Sequence, residues 1–330
     1  MTVFRSENAH RPARTFGWLQ SCGARSPERE PGVITGCSRR RSGSPGRRLA
    51  VPLVCLGLVL SGCDGTGGAA EQSVRDFHRT AFDPVAFVDP TTSTNPWHPL
   101  RPGTQWVRQG TTEVGSRAVP HQVISTMTDV IRQIDGVPAI LMVDQDTDAG
   151  EIAQQSIDYF ALDKDGNVWL MGGYTEEYSG GKYTNTTDAW LGSAAGFEPG
   201  ILMPAEPDTS TPPWVINLED VREGTAAEVV DTGAKECVEF ACYDDVLIVR
   251  EGEIGKLDNE FKYYARDVGQ ILNSPRRDSR HKDRESVINL TALSPEGLDE
   301  ISNLALSLED HARETKPEVF GSAPQSTRVH

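Results

Sequence analysis

Three groups of residues in this chain have the types and spacing to do chemistry. The first is a pair of alternating acidic runs: Asp163, Asp165 and Asn167 in "DKDGN", and Asp144, Asp146 and Asp148 in "DQDTDAG". Oxygen-bearing side chains at alternate positions are how a calcium loop begins, but a complete loop also needs glycine at its sixth position and a bidentate Glu at its twelfth. Counted from Asp144 those positions hold Ala149 and Gln155, and counted from Asp163 the sixth is Val168. Both runs are therefore expected to be polar hairpin turns, the "DKDGN" turn with Gly166 at positive φ, and no metal site is assigned. The second group is Cys237 and Cys242 in "CVEFAC". Redox-active pairs are more often spaced Cys-x-x-Cys, and a zinc site would need two more ligands than the neighbourhood offers. The third group is Glu176 and Glu177 beside Tyr178. Adjacent strand residues face opposite ways, so the two carboxylates cannot act as a dyad. With no His-Glu-x-x-His, Gly-x-Ser-x-Gly or phosphate loop in the chain, no catalytic residue and no cofactor are assigned.

Composition allows a packed core: 330 residues, 37% hydrophobic and 7% aromatic. Charge is unevenly placed. Up to Gly62 there are ten Arg and three Glu, a net of +7, which leaves −23 for the remainder of a chain whose total is −16. So acidic a body argues against nucleic-acid partners, whose phosphates are held by Lys and Arg.

The compartment is written in one segment. "LAVPLVCLGLVLSGC", Leu49 to Cys63, has no charge and follows the basic "SRRR" and "GRR". As a helix it would reach about 22 Å at ~1.5 Å per residue, short of the ~30 Å hydrocarbon core, so a spanning anchor is not expected. A basic flank, a short apolar run and small residues form a secretory signal. Leu60, Ser61, Gly62 and Cys63 resemble a bacterial lipobox. That resemblance implies cleavage between Gly62 and Cys63, lipid on the Cys63 thiol, and anchoring to the extracytoplasmic face of the cell membrane by several acyl chains. Residues 1–46 exceed the usual length of a basic region, and Val33 would serve as an alternative start, leaving a signal of 30 residues. In an oxidising compartment Cys237 and Cys242 are expected to form a disulfide, which requires a turn because five extended residues span ~17 Å and bridged Cα atoms lie within about 7 Å.

The elements behind these groups are mostly strands. After the signal (1–62), residues 63–94 are expected to be the lipidated cysteine and a flexible tether, shortened if "AFDPVAFVDP" packs locally. Residues 95–293 form the β-sheet domain. Turn signals recur at Asp135-Gly136, from Asp144, from Asp163 and at "SGGK", between β-branched and aromatic runs such as "VPAILMV" and "NVWLMGGY". In "EFKYYAR" the alternation puts Phe261, Tyr263 and Ala265 on one face and Lys262, Tyr264 and Arg266 on the other. "FEPGILMPAEPDTSTPPW" is expected to be a long loop dividing two runs of strands. The fold class is mainly β, an antiparallel meander curled into an open barrel or folded into a sandwich. A C-terminal helix spans 294–316, capped by Ser294 with Pro295 in its first turn and a stripe of Leu298, Ile301, Leu304, Ala305 and Leu308. Residues 317–330 are expected to be an unstructured tail. "RRDSRHKDRE" reads as a solvated loop of mixed charge. Trp97, Trp106, Trp169, Trp190 and Trp214 suit a core or an apolar ligand cavity.

"WHPLRPGTQWVRQG", "DYFALDKDGNVWLMGG", "EPGILMPAEP" and "FKYYARDVGQIL" resemble recurring segments of an uncharacterised family of mainly β bacterial lipoproteins and secreted proteins. The resemblance, from about Asn95 to Leu272, implies fold and compartment but no activity. The expected function is a lipid-anchored envelope protein whose non-catalytic domain binds a partner or a small apolar ligand. An envelope hydrolase and a structural subunit are the alternatives.

Overall fold

A computed structural model of the chain describes residues 76–114, 116–220, 223–254, 256–275 and 284–329. Gly62, Cys63, the apolar run and most of the basic loop lie outside the described residues. The chain enters through β1 (Phe87–Val88), β2 (Thr104–Val114), β3 (Arg117–Ile134), β4 (Val137–Asp148) and β5 (Glu151–Asp163). It continues through β6 (Val168–Ser179), β7 (Lys182–Leu191), β8 (Glu198–Met203), β9 (Trp214–Asp220) and β10 (Glu223–Cys237). There follow β11 (Cys242–Glu253), β12 (Lys256–Ala265), β13 (Gly269–Ser274), β14 (Glu285–Ala292), helices α1 (Pro295–Thr315) and α2 (Pro317–Phe320), and β15 (Thr327–Arg328).

Twelve of these strands close an antiparallel barrel in the order β5, β4, β3, β2, β14, β13, β12, β11, β10, β9, β8, β6 and back to β5. Closure decides between barrel and sandwich, and it leaves no free edge in the ring. β6 makes closure possible by changing partner along its length. Its first residues, Val168 to Leu170, pair with β8, and Gly172 to Ser179 pair with β7, which splays off the ring. Tight turns set the registers. Asp135-Gly136 joins β3 to β4 with φ of 51° and 82°, the positive pair that a two-residue hairpin demands.

Strand alternation sorts side chains into two apolar cores. Ile140 and Met142 of β4, with Phe160 and Leu162 of β5, join the interior cluster; Leu141, Val143, Ile157 and Tyr159 join the outer one. One end of the interior is filled by the segment before β2, whose Trp97 and Leu100 belong to that cluster. Asn95 fixes this segment. Its side-chain nitrogen donates to the carbonyls of Gly166, Met203 and Pro204, and its oxygen accepts from the Trp97 and His98 amides. On the outside, α1 starts as expected, with Ser294 accepting from the Gly297 amide, and lays Ile301, Ala305, Leu308 and Ala312 over the outer cluster.

The structure corrects several expectations. Part of the supposed tether is packed: Phe77 and Pro90 are buried, β1 pairs with β5, and Phe82 and Phe87 meet the edge of Trp169. The supposed tail is structured too, because Phe320 fills a slot beside Tyr174 and β15 pairs with β3. Within the proline-rich stretch, Glu198 to Met203 form a barrel strand, so only the residues after it are loop. The turn expected from Asp144 begins later, at Ala149-Gly150, and Asp144, Asp146 and Asp148 belong to β4. Tyr263 and Tyr264, expected on opposite faces, both join the interior cluster because the β12–β13 register shifts between them, and Lys262 is 2% exposed.

Candidate functional site: the charged end of the barrel interior

Beyond the apolar plug, the inward positions change from hydrocarbon to charge. β4 turns Asp144 and Asp146 inward on the face that begins with Ile140 and Met142. Asp158, on the Phe160 face of β5, is buried too but is not part of the cavity wall. β2 supplies Arg108, β12 Lys262, β13 Gln270 and β14 Glu285, all of them buried. Arg108, Asp144, Asp146, Lys262, Gln270 and Glu285 line a cavity of about 360 Å³, a volume that includes its opening to solvent. It is narrow: a water-sized body fits, and a larger one requires side chains to move. A second cavity of about 270 Å³ shares Arg108 and Gln270, and its lining includes His98, Trp106, Ser125, Met127 and Met142.

Electrostatics here follow from burial. Lys262 Nζ lies 2.5 Å from Glu251 Oε2 and 3.5 Å from Glu260 Oε2. Burial opposes its charge, but the two carboxylates outweigh burial and hold its pKa above the usual value. His121 is similar. Burial works against its charge, while Asp148 at 2.8 Å and Glu285 at 3.4 Å raise its pKa overall. His98 goes the other way, held down to about 3 by burial and by the neighbouring charges of Lys262 and Arg108, so it is neutral against the Phe160 ring. Asp146 and Asp158 are pushed well above the carboxylate range, first by burial and then by the Asp144 charge. Burial also raises Asp144 and Glu285, with Arg108 opposing in both cases. The arrangement is thus a set of converging carboxyl, amide and cationic groups in a low-dielectric space, suited to gripping a small polar body.

Of the sequence candidates, Cys237 and Cys242 are brought together. They close the β10–β11 hairpin as a disulfide, with Cα atoms 4.0 Å apart across a four-residue turn, Val238 to Ala241. Asp163 is a turn organiser. Its carboxylate accepts from the amides of Asp165 and Asn167, the Asn167 side chain and Trp169 Nε1, all at 2.8 to 2.9 Å, and Gly166 sits at φ 86°. Asp165 and Asn167 therefore serve that turn, which the Asn167 oxygen extends to the Ala205 amide. Glu176 and Glu177 point apart as expected. Glu176 accepts from Tyr174 and Tyr178 and meets His311 Nδ1 at 2.6 Å, while Glu177 takes the Gln154 amide. Trp97, Trp106, Trp190 and Trp214 lie in the interior core, and Trp169 lies in the outer one. Sequence reading missed Arg108, Asp158, Lys262, Gln270 and Glu285. The available signal was that charged residues interrupt strands whose two faces both bear large apolar groups, as "FKYYA" does.

No family model matches the chain, and no curated protein matches it. Among solved structures, a protein of Parabacteroides distasonis ATCC 8503 described as a lipoprotein is similar over 60% of this chain and 99% of its own, with 11% sequence identity and a TM-score of 0.33.

Proposed function

We propose that this chain is an exported lipoprotein, cleaved before Cys63 and held to the extracytoplasmic face of the membrane by lipid on that residue. Its barrel acts as a non-catalytic binding module. The lipobox "LSGC" behind a basic flank carries the anchoring half of this reading. The Cys237–Cys242 disulfide supports it, since such bonds persist outside the reducing cytosol. The charged cavity carries the binding half. Trp97, Leu100, Trp106 and Met127 fill the apolar end of the barrel, so the space that remains favours a small polar ligand over an apolar one.

Cys63→Ser tests the anchor. The variant is expected to leave the membrane fraction and to lose the mobility shift of lipidation. A variant that stays membrane-bound with unchanged mobility refutes the proposal.

A further inference from the structure

Three acceptor oxygens on the wall of the charged cavity have no hydrogen-bond partner: Asp144 Oδ1, Gln270 Oε1 and Asn273 Oδ1. Asp144 and Gln270 are only 4% and 5% exposed, so bulk water does not satisfy them. The orientation of Asn273 is fixed, because its Nδ2 donates to Glu260 Oε1 at 2.5 Å and its oxygen must face the other way. The three come from two strands, β4 and β13, that are separated in the ring by β3, β2 and β14. Native proteins rarely leave such groups unpaired, so each calls for a donor.

The wall also selects the charge of the missing donor. Asp144, Asp146, Glu260 and Glu285 face Arg108 and Lys262 across this space. Lys262 is engaged by Glu251 and Glu260, and Glu285 is engaged by His121. On the wall itself, Asp144, Asp146 and Glu260 then stand against Arg108 and Lys262, an excess of one negative charge when all are ionised, which burial opposes at Asp144 and Asp146. A monovalent cation would balance it. A divalent metal suits the wall less well. Among the described residues no three His, Cys, Asp or Glu side chains converge to hold a metal, and two basic side chains line the cavity.

We propose that this cavity binds a primary ammonium group, as the ammonium ion or a short alkylamine, with its N–H bonds given to Asp144, Gln270 and Asn273. An ammonium group offers three or four donors and one positive charge in the volume of a water molecule, which matches the orphaned acceptors in number and the wall in charge. Its charge would favour the ionised forms of Asp144 and Asp146 that burial alone opposes, so binding strengthens as pH rises. This proposal rests on the reading of the barrel as a binding module and is independent of the anchor.

The test is thermal unfolding of the purified full chain in ammonium chloride and in methylammonium chloride, against sodium and calcium chloride at equal ionic strength. A ligand that binds the folded state alone raises the Tm with its concentration. Ammonium is expected to raise the Tm beyond sodium, and Asp144→Asn to weaken that response at least tenfold. Gln270→Met, which keeps the shape and removes the acceptor, is expected to weaken it as well and decides the matter if Asp144→Asn does not fold. A response to ammonium alone identifies the ion, and an equal or stronger response to methylammonium identifies an amine-bearing ligand. No response beyond sodium, a response to calcium instead, or an undiminished response in both variants overturns the proposal. A chain anchored through Cys63 that ignores ammonium overturns this inference and leaves the anchor standing.

Discussion

Glu309 on α1 reaches through the outer core to Arg132 of β3, and replacing it should be among the most damaging single changes in the molecule. Arg132 is wholly buried, and its Nη1 is bonded to Glu309 Oε1. Its Nε and Nη2 have no hydrogen-bond partner, so Glu309 bears nearly the whole task of compensating that guanidinium. The rings of Tyr159 and Phe320, at 5.9 and 5.6 Å, complete its surroundings, and Tyr159 also donates to Glu309 at 2.9 Å. Glu309→Ala therefore strands a buried cation and a buried hydroxyl together. Breaking one side of a buried pair costs about 3–5 kcal/mol. In a domain of this size 1 kcal/mol moves the Tm by ~2–4 °C, so the expected fall is roughly 6–20 °C.

Replacing both partners is different, because nothing charged is then left behind. Arg132→Leu with Glu309→Leu should recover most of the loss, as hydrophobic replacement of buried pairs is often neutral or stabilising by about 1–4 kcal/mol. Urea unfolding followed by tryptophan fluorescence reads both variants, with Trp169 and Trp190 buried as reporters. If Glu309→Ala costs less than about 1 kcal/mol, or if the double variant is as unstable as the single one, the claim that this pair ties α1 to the barrel is wrong.

Asp158→Asn should raise the Tm at neutral pH. Burial, Asp144 and Asp188 place its folded pKa well above the unfolded value, so the folded state binds the extra proton and gains stability as pH falls through the folded pKa; the advantage of Asn should vanish in acid on a Tm-against-pH curve. Asp129 runs the other way. Burial opposes its charge, but Arg328 and Ser302 outweigh burial and depress its pKa, so its contribution is full above the unfolded value of ~3.9 and is lost as pH falls through the folded one. Arg328→Ala should shrink that acid-side loss, leaving the part due to Ser302, and, by freeing β15, speed amide exchange at Val329, whose N–H donates to the Asp129 carbonyl. Gly200→Ala would place a methyl 2.6 and 2.8 Å from the Ile216 and Val215 carbonyl oxygens, and overpacking against backbone should cost about 1–3 kcal/mol by urea unfolding. Cys237→Ser should lower the Tm in oxidising buffer and abolish the difference that a reductant makes to the parent chain, since the disulfide closes only a short hairpin loop.

Much of the fold was legible because it is local. Ser294 and Pro295 announce the start of α1, Asp135-Gly136 announces a hairpin, and the alternation of apolar residues marks the strands, since each depends on residues a few positions apart. The cysteine pair was legible for the same reason, its partners being joined by one short turn. The packed N-terminal segment and the C-terminal residues were not. Phe77 and Phe320 find partners more than a hundred positions away, Phe82 meets Trp169 far along the chain, and no periodicity near them foretells it.

By itself, then, the sequence determined the strand content, the hairpins, the capped helix, the short disulfide loop and the acidic character of the body. Each is set by local backbone preference or by simple composition. Only the tertiary structure decided that the sheet closes on itself, because closure depends on β6 exchanging β8 for β7 partway along its length. It alone turned Asp144, Asp146, Lys262 and Glu285 inward. In a barrel, whether an alternating position meets water or the interior is set by the curvature of the whole sheet, and a charged residue reads the same from either side.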